Sequence, residues 1–405
     1  MLKKKICIVT GTRAEFGLLK PLIKKIADSD DMELRLVVTG MHLCNEFGYT
    51  CSEIEDEGIA IDRKIEMQLS SDTKTGMTIS TGLGIISFAQ YFENRYPDIL
   101  IILGDRYEIF SCVIAASFVQ IPIAHLYGGE TISGVIDEFI RHAITKMSSL
   151  HFVACEAYRK RVIQLGENPQ MVFNVGAMGI ENVKNMSLLS IEELGKDLNI
   201  DMRDQSYCVV TFHPLTLEQD TGGKQVQALI NALDEFPDMW FIITKSNSDA
   251  GGREINRLWD EYAAAKKNCL VVASLGVQRY LSALRYASMM IGNSSSGITE
   301  GPASGIPILN IGDRQKGRIM ADSVICCNPE KDAIIQAMKK ALTPQFRKIA
   351  KEVVNPYGDG TTSVKIMKII RDQLTNNKIK IKKEFYDVEF DEKDKTPPSQ
   401  DGINK

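Results

Sequence analysis

Twice along this chain, short uninterrupted runs of Val, Ile and Leu alternate with longer stretches of helical period, and that alternation limits the fold more than any single motif. The first series reads "KICIVTG", "ELRLVVTG", "DILIILGD", "IPIAHLYGG", "HFVAC" and "VFNVG"; the second reads "YCVVTFHP", "MWFIITKS", "CLVVAS", "MMIGNSS", "IPILNIGD" and "SVICC". A strand that is apolar on both sides must be covered on both, so each series predicts a parallel sheet between two helix layers. The stretch between them, "AMGIENVKNMSLLSIEELGKDLNIDMRDQ", is polar and carries Ser190 as a cap before "IEEL", so it reads as a crossing between domains. The expected class is α/β, with two Rossmann-like, doubly wound domains facing a cleft. Their expected bounds are 1–177 and 178–360. A helix over 361–383 is expected to pack back on the first domain, and an acidic, proline-containing tail over 384–405 to be disordered.

Composition narrows the function. A length of 405 residues suits two such units, and 44% hydrophobic with 25% charged residues is the make-up of a globular protein with ample core. The net charge of −4 argues against nucleic acid as a partner, so an anionic ligand has to be met by local cations. At the start, "MLKKKICIVTGTRAE" has its apolar run broken by Thr10, Gly11 and Arg13, which predicts a strand and no signal peptide. The greasiest region, "FSCVIAASFVQIPIAHL", is interrupted by Gln120 and Pro122, well short of the roughly 20 residues that span a bilayer. Nine cysteines without a C-x-x-C pair, several inside apolar strands (Cys7, Cys208, Cys269), read as small buried hydrophobes in a reducing cytoplasm.

In an open parallel sheet ligands gather at the carboxyl ends of the strands, so the informative residues follow each apolar run. The first half offers Arg13 and Glu15, His42, Asp105, Arg106 and Glu108, Glu130, and then Asp137, Arg141 and His142. The second offers His213, Asn247, the run "GNSSSGITE", and Asp313, Arg314 and Arg318. Two walls of charge result. The first strand-to-helix turn, in "VTGTRAEFGLLKPLIKKI", has a single glycine, Gly11, and puts Arg13 and Glu15 where a dinucleotide site would have bare backbone.

In "GNSSSGITEGPASG" a strand should end at Gly292 and a helix begin among the serines. Alone, Ser294 or Ser296 would do no more than cap that helix. Beside Arg314, Arg318 and His213, their hydroxyls and the unpaired N–H groups make a diphosphate site, helped by the helix dipole. Glu300 in such a site accepts from both ribose hydroxyls. Asp105 stands at a strand tip and Asp137 at a helix start, where either can serve as a cap. With Glu130 they also form a carboxylate set on one sheet edge that can divide acid and base roles. His142 reads as a packed helix histidine and His151 as a strand-start one. His213, between a strand and Pro214, reads as pointing into the cleft toward a phosphate. No metal-ligand spacing, G-x-S-x-G or P-loop occurs.

Taken together, "TGTRAEFG", "LGDRYE", "GGETISGVIDEFIRHAITKMS", "FHP" and "GNSSSGITEGPASGIPILNIGDRQKGR" resemble the hydrolysing UDP-N-acetylglucosamine 2-epimerases of sialic-acid biosynthesis, over about residues 3 to 385. The resemblance implies the two-domain GT-B fold of many glycosyltransferases, with UDP in the cleft and UDP and N-acetylmannosamine as products. It implies neither nicotinamide nor metal, and a homo-oligomer, dimer or tetramer. On the same ground Ser294 and Ser295 would hold the diphosphate and Glu300 the ribose, with His213, Asn247 and Arg314 around them. Arg13 and Arg106 would reach across from the first domain. Asp105, Asp137, Glu130 and His213 would make up the catalytic set. One departure stands out: many relatives carry a glutamate just before the two glycines of "GGE", where this chain has Tyr127, so either its role falls to Glu130, Asp137 or Tyr127 itself, or the proton transfers are divided differently. Three alternatives share these motifs: a hydrolysing epimerase of UDP-N,N'-diacetylbacillosamine in legionaminic acid synthesis, a non-hydrolysing epimerase that keeps UDP on the sugar, and a silent nucleotide-sugar sensor.

Overall fold

The computed structural model describes residues 3–45, 48–69, 73–132, 135–203, 205–214, 222–246 and 252–389. Two parallel sheets form. The first contains β1 (Lys4–Thr10), β2 (Met32–Thr39), β3 (Ile61–Ile65), β4 (Ile99–Leu103), β5 (Ile123–Leu126), β6 (Leu150–Val153) and β7 (Val172–Asn174), in the order β3-β2-β1-β4-β5-β6-β7. The second contains β8 (Tyr207–Thr211), β9 (Trp240–Thr244), β10 (Cys269–Val272), β11 (Met289–Gly292), β12 (Ile308–Ile311) and β13 (Val324–Cys327), in the order β10-β9-β8-β11-β12-β13. Each order reverses direction once, between β1 and β4 and between β8 and β11. The strands next to these reversals pair in register, Ile6 with Ile99 and Cys208 with Met289.

Alternation along the strands supplies cores on both faces. Ile6 and Ile8 point to the side covered by helix Arg13–Ala27, and Cys7 and Val9 to the side covered by helices Lys74–Asn94 and Tyr107–Phe118. Cys208 and Val210 against Tyr207 and Val209 repeat the pattern in the second sheet. Only β3 went unread in the sequence: "IDRKI" is a short edge strand with three consecutive charged residues and one buried side chain, so it lacks the apolar signature of a covered strand.

The polar crossing folds into two short helices, Met178–Asn185 and Ile191–Leu198, and Ser190 caps the second in a reciprocal box with Glu193. Helix Thr362–Thr375 lays Ile366, Met367 and Ile370 into the core beneath helix Arg13–Ala27, and Arg371 pairs with Asp31 at 2.6 Å. Past it, the stretch read as a disordered tail from Glu384 begins seated on the first lobe. Lys383 bonds Glu167 at 2.7 Å, the Phe385 ring lies on Gly166 and under the Lys146 ammonium, and the Tyr386 N–H reaches the Gly166 carbonyl. Glycine leaves room for that ring, and the buried Glu167 carboxylate supplies the ionic anchor.

The lobes meet along a seam of specific contacts. Pro21, inside helix Arg13–Ala27, has no N–H to offer the Gly17 carbonyl, and the buried Asn182 amide donates to it instead at 2.8 Å. Tyr158 and Tyr357 share a hydroxyl hydrogen bond of 2.9 Å, and Tyr357 donates to the Ile319 carbonyl at 2.8 Å. Glu130, after β5, pairs at 2.6 Å with Arg318, after β12, with both side chains buried. The carboxyl ends of the two sheets therefore face one another here.

Candidate active site

Both reversal points are topological switch points, where a doubly wound sheet opens a crevice at its carboxyl edge. The turn after β1 carries Gly11 to Glu15 and the turn after β4 carries Gly104 to Arg106; the turn after β8 carries His213 and the turn after β11 carries Asn293 to Ser296. Of the polar residues picked out from strand ends, Arg13, Glu15, Asp105, Arg106, His213, Ser294 and Ser295 lie at these two reversals, whereas His42 follows β2, Glu130 follows β5 and Arg314 follows β12.

In the first lobe nearly every charge at this edge has an opposite charge beside it. Arg13 opens its helix, whose cap is Thr12, and its guanidinium lies 3.2 Å from Glu53, partly exposed. Glu15 points back under the turn, accepting the Gly11 N–H at 2.7 Å. Burial pushes its carboxyl up to about 8; Arg106 opposes that rise and Glu108 adds to it. Arg106 grips the fully buried Glu108 through Nε and Nη2, at 3.2 and 3.1 Å. Asp105 pairs with Arg141, which is buried and also reaches Glu138 at 3.1 Å and the Glu130 carbonyl at 3.1 Å. Glu138 in turn bonds His142 and the Ile132 N–H, at 3.1 and 2.8 Å. Asp105, Arg141, Glu138 and His142 form one continuous chain.

The capping roles weighed for the aspartates are not the ones observed. Arg106, not Asp105, occupies the cap before helix Tyr107–Phe118, and Ile136 occupies the cap before helix Asp137–Met147. Asp137 is the first helical residue, where its charge complements the helix N-terminus. His142, expected to be packed in its helix, is partly exposed and paired with Glu138. His151 is buried at 3.0 Å from Glu167. His42 is buried between Thr10 and Thr50, at 3.1 and 2.8 Å, and burial lowers it to about 4, so a neutral ring fills that turn.

At the second switch point the contacts are chiefly those of neutral groups, with Arg314 beside them. The Asn293 side chain accepts from the His213 N–H at 2.7 Å and donates to the His213 carbonyl at 2.8 Å, locking the two switch-point turns together. His213 Nδ1 is 3.3 Å from the Ser246 hydroxyl; burial and Arg314 lower the imidazole to about 3, which keeps it neutral. Ser294 caps helix Ser295–Thr299, its Oγ 3.4 Å from the Ser296 N–H. That helix has five residues and continues as a 3-10 turn, so it brings little macrodipole, and its polar end consists chiefly of N–H groups and hydroxyls. Arg314 donates to the Asn293 carbonyl at 3.1 Å. Asn247 lies outside the described residues.

Between the walls sits a third group. Glu300 ends the serine helix, takes a hydrogen bond from Thr299, and lies directly over Gly179, where any side chain would collide with its carboxylate. Burial raises Glu300 to about 7. Tyr127 holds a left-handed backbone (φ 69°), an uncommon state for a residue with a side chain. Burial, together with Glu300 and Glu130, pushes its phenol well above the usual range, so it stays protonated. Among the described residues, no group of three or more His, Cys, Asp or Glu is placed to hold a metal ion.

Sequence reasoning missed His125 and Glu138, and took Asn293 only as part of the run "GNSSSGITE". His125 lies inside an apolar strand, buried between the Gly104 carbonyl at 2.9 Å and Thr145 at 3.2 Å, so nothing in its spacing set it apart. Glu138 sat beside Asp137, and an i,i+3 and i,i+4 relation to Arg141 and His142 was its available signal.

The model of the UDP-N-acetylglucosamine 2-epimerase family matches residues 24–371. The chain belongs to that family. It is 41% identical, over 86% of its length and 90% of the relative's, to a Campylobacter jejuni protein named GDP/UDP-N,N'-diacetylbacillosamine 2-epimerase (hydrolyzing). It is 38% identical, over 95% and 98%, to polysialic acid biosynthesis protein P7 of Escherichia coli. In fold it is similar to the crystal structure of UDP-GlcNAc 2-epimerase from Neisseria meningitidis bound to UDP-GlcNAc, with a TM-score of 0.78 at 16% identity over 91% of this chain and all of that one. This 2-epimerase chain thus has the two-domain Rossmann-like architecture that its strand pattern predicts. Among its described residues, no helix is long and apolar enough to cross a membrane.

Proposed function

We propose that the protein is a hydrolysing 2-epimerase that converts a UDP-activated 2-acetamido sugar and water to the free 2-epimer and UDP. The observation that carries this reading is the pairing of two unlike switch points, one lined with paired charges around Asp105 and one with neutral donors around Ser294. The C2 hydrogen of the sugar is not next to a carbonyl, so a carboxylate cannot remove it until positive charge develops at C1. Departure of UDP therefore leads.

Charge growing on the diphosphate is met by Arg13, Arg106 and Arg314, by the neutral His213, and by the Ser294 and Ser295 hydroxyls with their N–H groups. Glu300 holds the ribose, and Asn247 completes the nucleotide side. Asp105, fixed by Arg141, takes the C2 proton as the C1–O bond breaks, leaving a C1–C2 double bond. Asp137 then delivers a proton to C2 from the opposite face, water adds its hydroxyl to C1, and the proton that this water gives up restores Asp137. Tyr127, held as a neutral phenol, is unsuited to be the base. Glu130, paired with Arg318, supports the seam between the lobes in place of the acid/base role expected for it.

For the sugar, the reading taken first is UDP-N-acetylglucosamine, giving N-acetylmannosamine for sialic-acid synthesis, as the resemblance implies. A second reading, UDP-N,N'-diacetylbacillosamine for legionaminic acid, is favoured by relatives named for it at 41% and 34% identity. Incubation of each sugar nucleotide in deuterated water distinguishes them: the true substrate releases UDP and yields a 2-epimer with one deuterium at C2. Deuterium in an intact UDP-sugar would overturn hydrolysis, and binding of both without turnover would make the protein a sensor.

A further inference from the structure

Glu138 has no part in the reaction proposed above, yet its carboxylate has three partners. Oε2 accepts from the Ile132 N–H at 2.8 Å and from Arg141 Nη1 at 3.1 Å, and Oε1 lies 3.1 Å from His142 Nε2, one turn along the helix. The first two partners lead in different directions. Arg141 Nη1 gives its hydrogens to Glu138 and to the Glu130 carbonyl, and Nη2 turns to Asp105. A guanidinium is planar, so anchoring one end of the fork at two points aims the other. Ile132 belongs to the segment before helix Asp137–Met147, and Ile136, in the cap position, brings no side-chain acceptor. Glu138 therefore ties the first turn of the helix, where Asp137 stands, back to that segment.

We propose that Glu138 is a positioning residue for both proton transfers: through Arg141 it orients Asp105, and through the helix start it holds Asp137. The inference rests on the reading of those two aspartates as base and acid. Energetics favour positioning over a plain contribution to stability. Glu138 is 24% exposed, and a partly exposed ion pair adds little to the fold. Arg141 is 2% exposed and keeps Asp105 as its counter-charge when Glu138 is neutralised, so the change leaves no buried cation unpaired. At a reacting carboxylate, by contrast, a shift of about 1 Å can cost on the order of a hundredfold in rate.

With the full chain and the sugar nucleotide it turns over, Glu138→Gln should lower kcat about ten- to hundredfold and change KM less than about threefold, while calorimetry still finds the native number and affinity of UDP sites. With Asp137 displaced, more of the C1–C2 unsaturated sugar should escape beside the 2-epimer. Glu138→Asp, which keeps the charge on a shorter arm, should recover part of the loss. A kcat within about twofold of native, a fall matched by an equal loss of UDP sites, or an unchanged ratio of the two sugars would each overturn the proposal. Should Glu138→Gln fail to fold, Glu138→Asp decides: a lowered kcat at the native number of UDP sites supports positioning, and a native kcat refutes it. A native chain that neither releases UDP nor exchanges the C2 hydrogen of either sugar nucleotide would instead sink the acid/base reading, and this inference with it.

Discussion

The two switch points have the same topology and opposite chemistry. Around β1 and β4 the side chains are ionic: Arg13 with Glu53, Arg106 with Glu108, Asp105 with Arg141 and Glu138. Around β8 and β11 the contacts are those of amide, hydroxyl and neutral imidazole, with Arg314 bonded to a backbone carbonyl. A carboxylate that must act on one atom of a sugar needs its orientation fixed, and buried guanidinium partners fix it. In the proposed reaction the leaving diphosphate draws on both walls, on the hydroxyls and N–H groups here for shape and on Arg13, Arg106 and Arg314 for charge.

The sharpest way to break this contrast is Asp105→Asn, with the largest expected effect. Turnover should fall about a thousandfold or more, while UDP affinity measured by calorimetry stays near that of the native protein. Equal losses in both would make Asp105 a structural partner of Arg141 and erase the division of labour. Next comes the seam. Glu130→Gln leaves the buried Arg318 without its carboxylate, and removing one member of a buried pair costs about 3–5 kcal/mol. Urea unfolding should register that loss, and the double change Glu130→Gln, Arg318→Met should recover much of it; a single variant as stable as native would mean water already screens the pair.

Legibility in the sequence followed the same division. The sheets were readable because each covered strand is a run of apolar residues, and β3 was missed because an exposed edge strand needs none. Strand-end polar residues were readable because topology alone places them. Partners were not, since Asp105 with Arg141 is a contact across 36 residues set by how helix Asp137–Met147 packs, and Glu130 with Arg318 spans the two lobes. Inward histidines were misjudged for a related reason: His42 and His125 have polar neighbours only in three dimensions, from Thr10 and Thr50 and from Thr145.

A smaller effect sharpens the second lobe. Ser294→Ala removes the cap of a five-residue helix and should cost about 1 kcal/mol of stability. If Ser294 also meets the diphosphate, UDP affinity should fall by more than that loss explains. Affinity unchanged within error would reduce Ser294 to a cap.

The finest test concerns Glu15, the one buried carboxyl of the ionic wall whose hydrogen bond comes from backbone and whose only favourable charge is the neighbouring Arg106. Its carboxyl rises from 4.5 to about 8 on folding, so the folded protein keeps a proton that the unfolded chain releases. A raised carboxyl contributes stability that is complete below pH 4.5 and is lost as pH rises through about 8. Glu300, raised to about 7, acts in the same direction. Glu15→Gln keeps the acceptor for the Gly11 N–H and removes the titration, so urea midpoints between pH 5 and pH 8 should decline less steeply than in the native protein, by a few kcal/mol at most over that range. Identical slopes would mean that Arg106 holds Glu15 ionised, and then the first wall would be charged throughout.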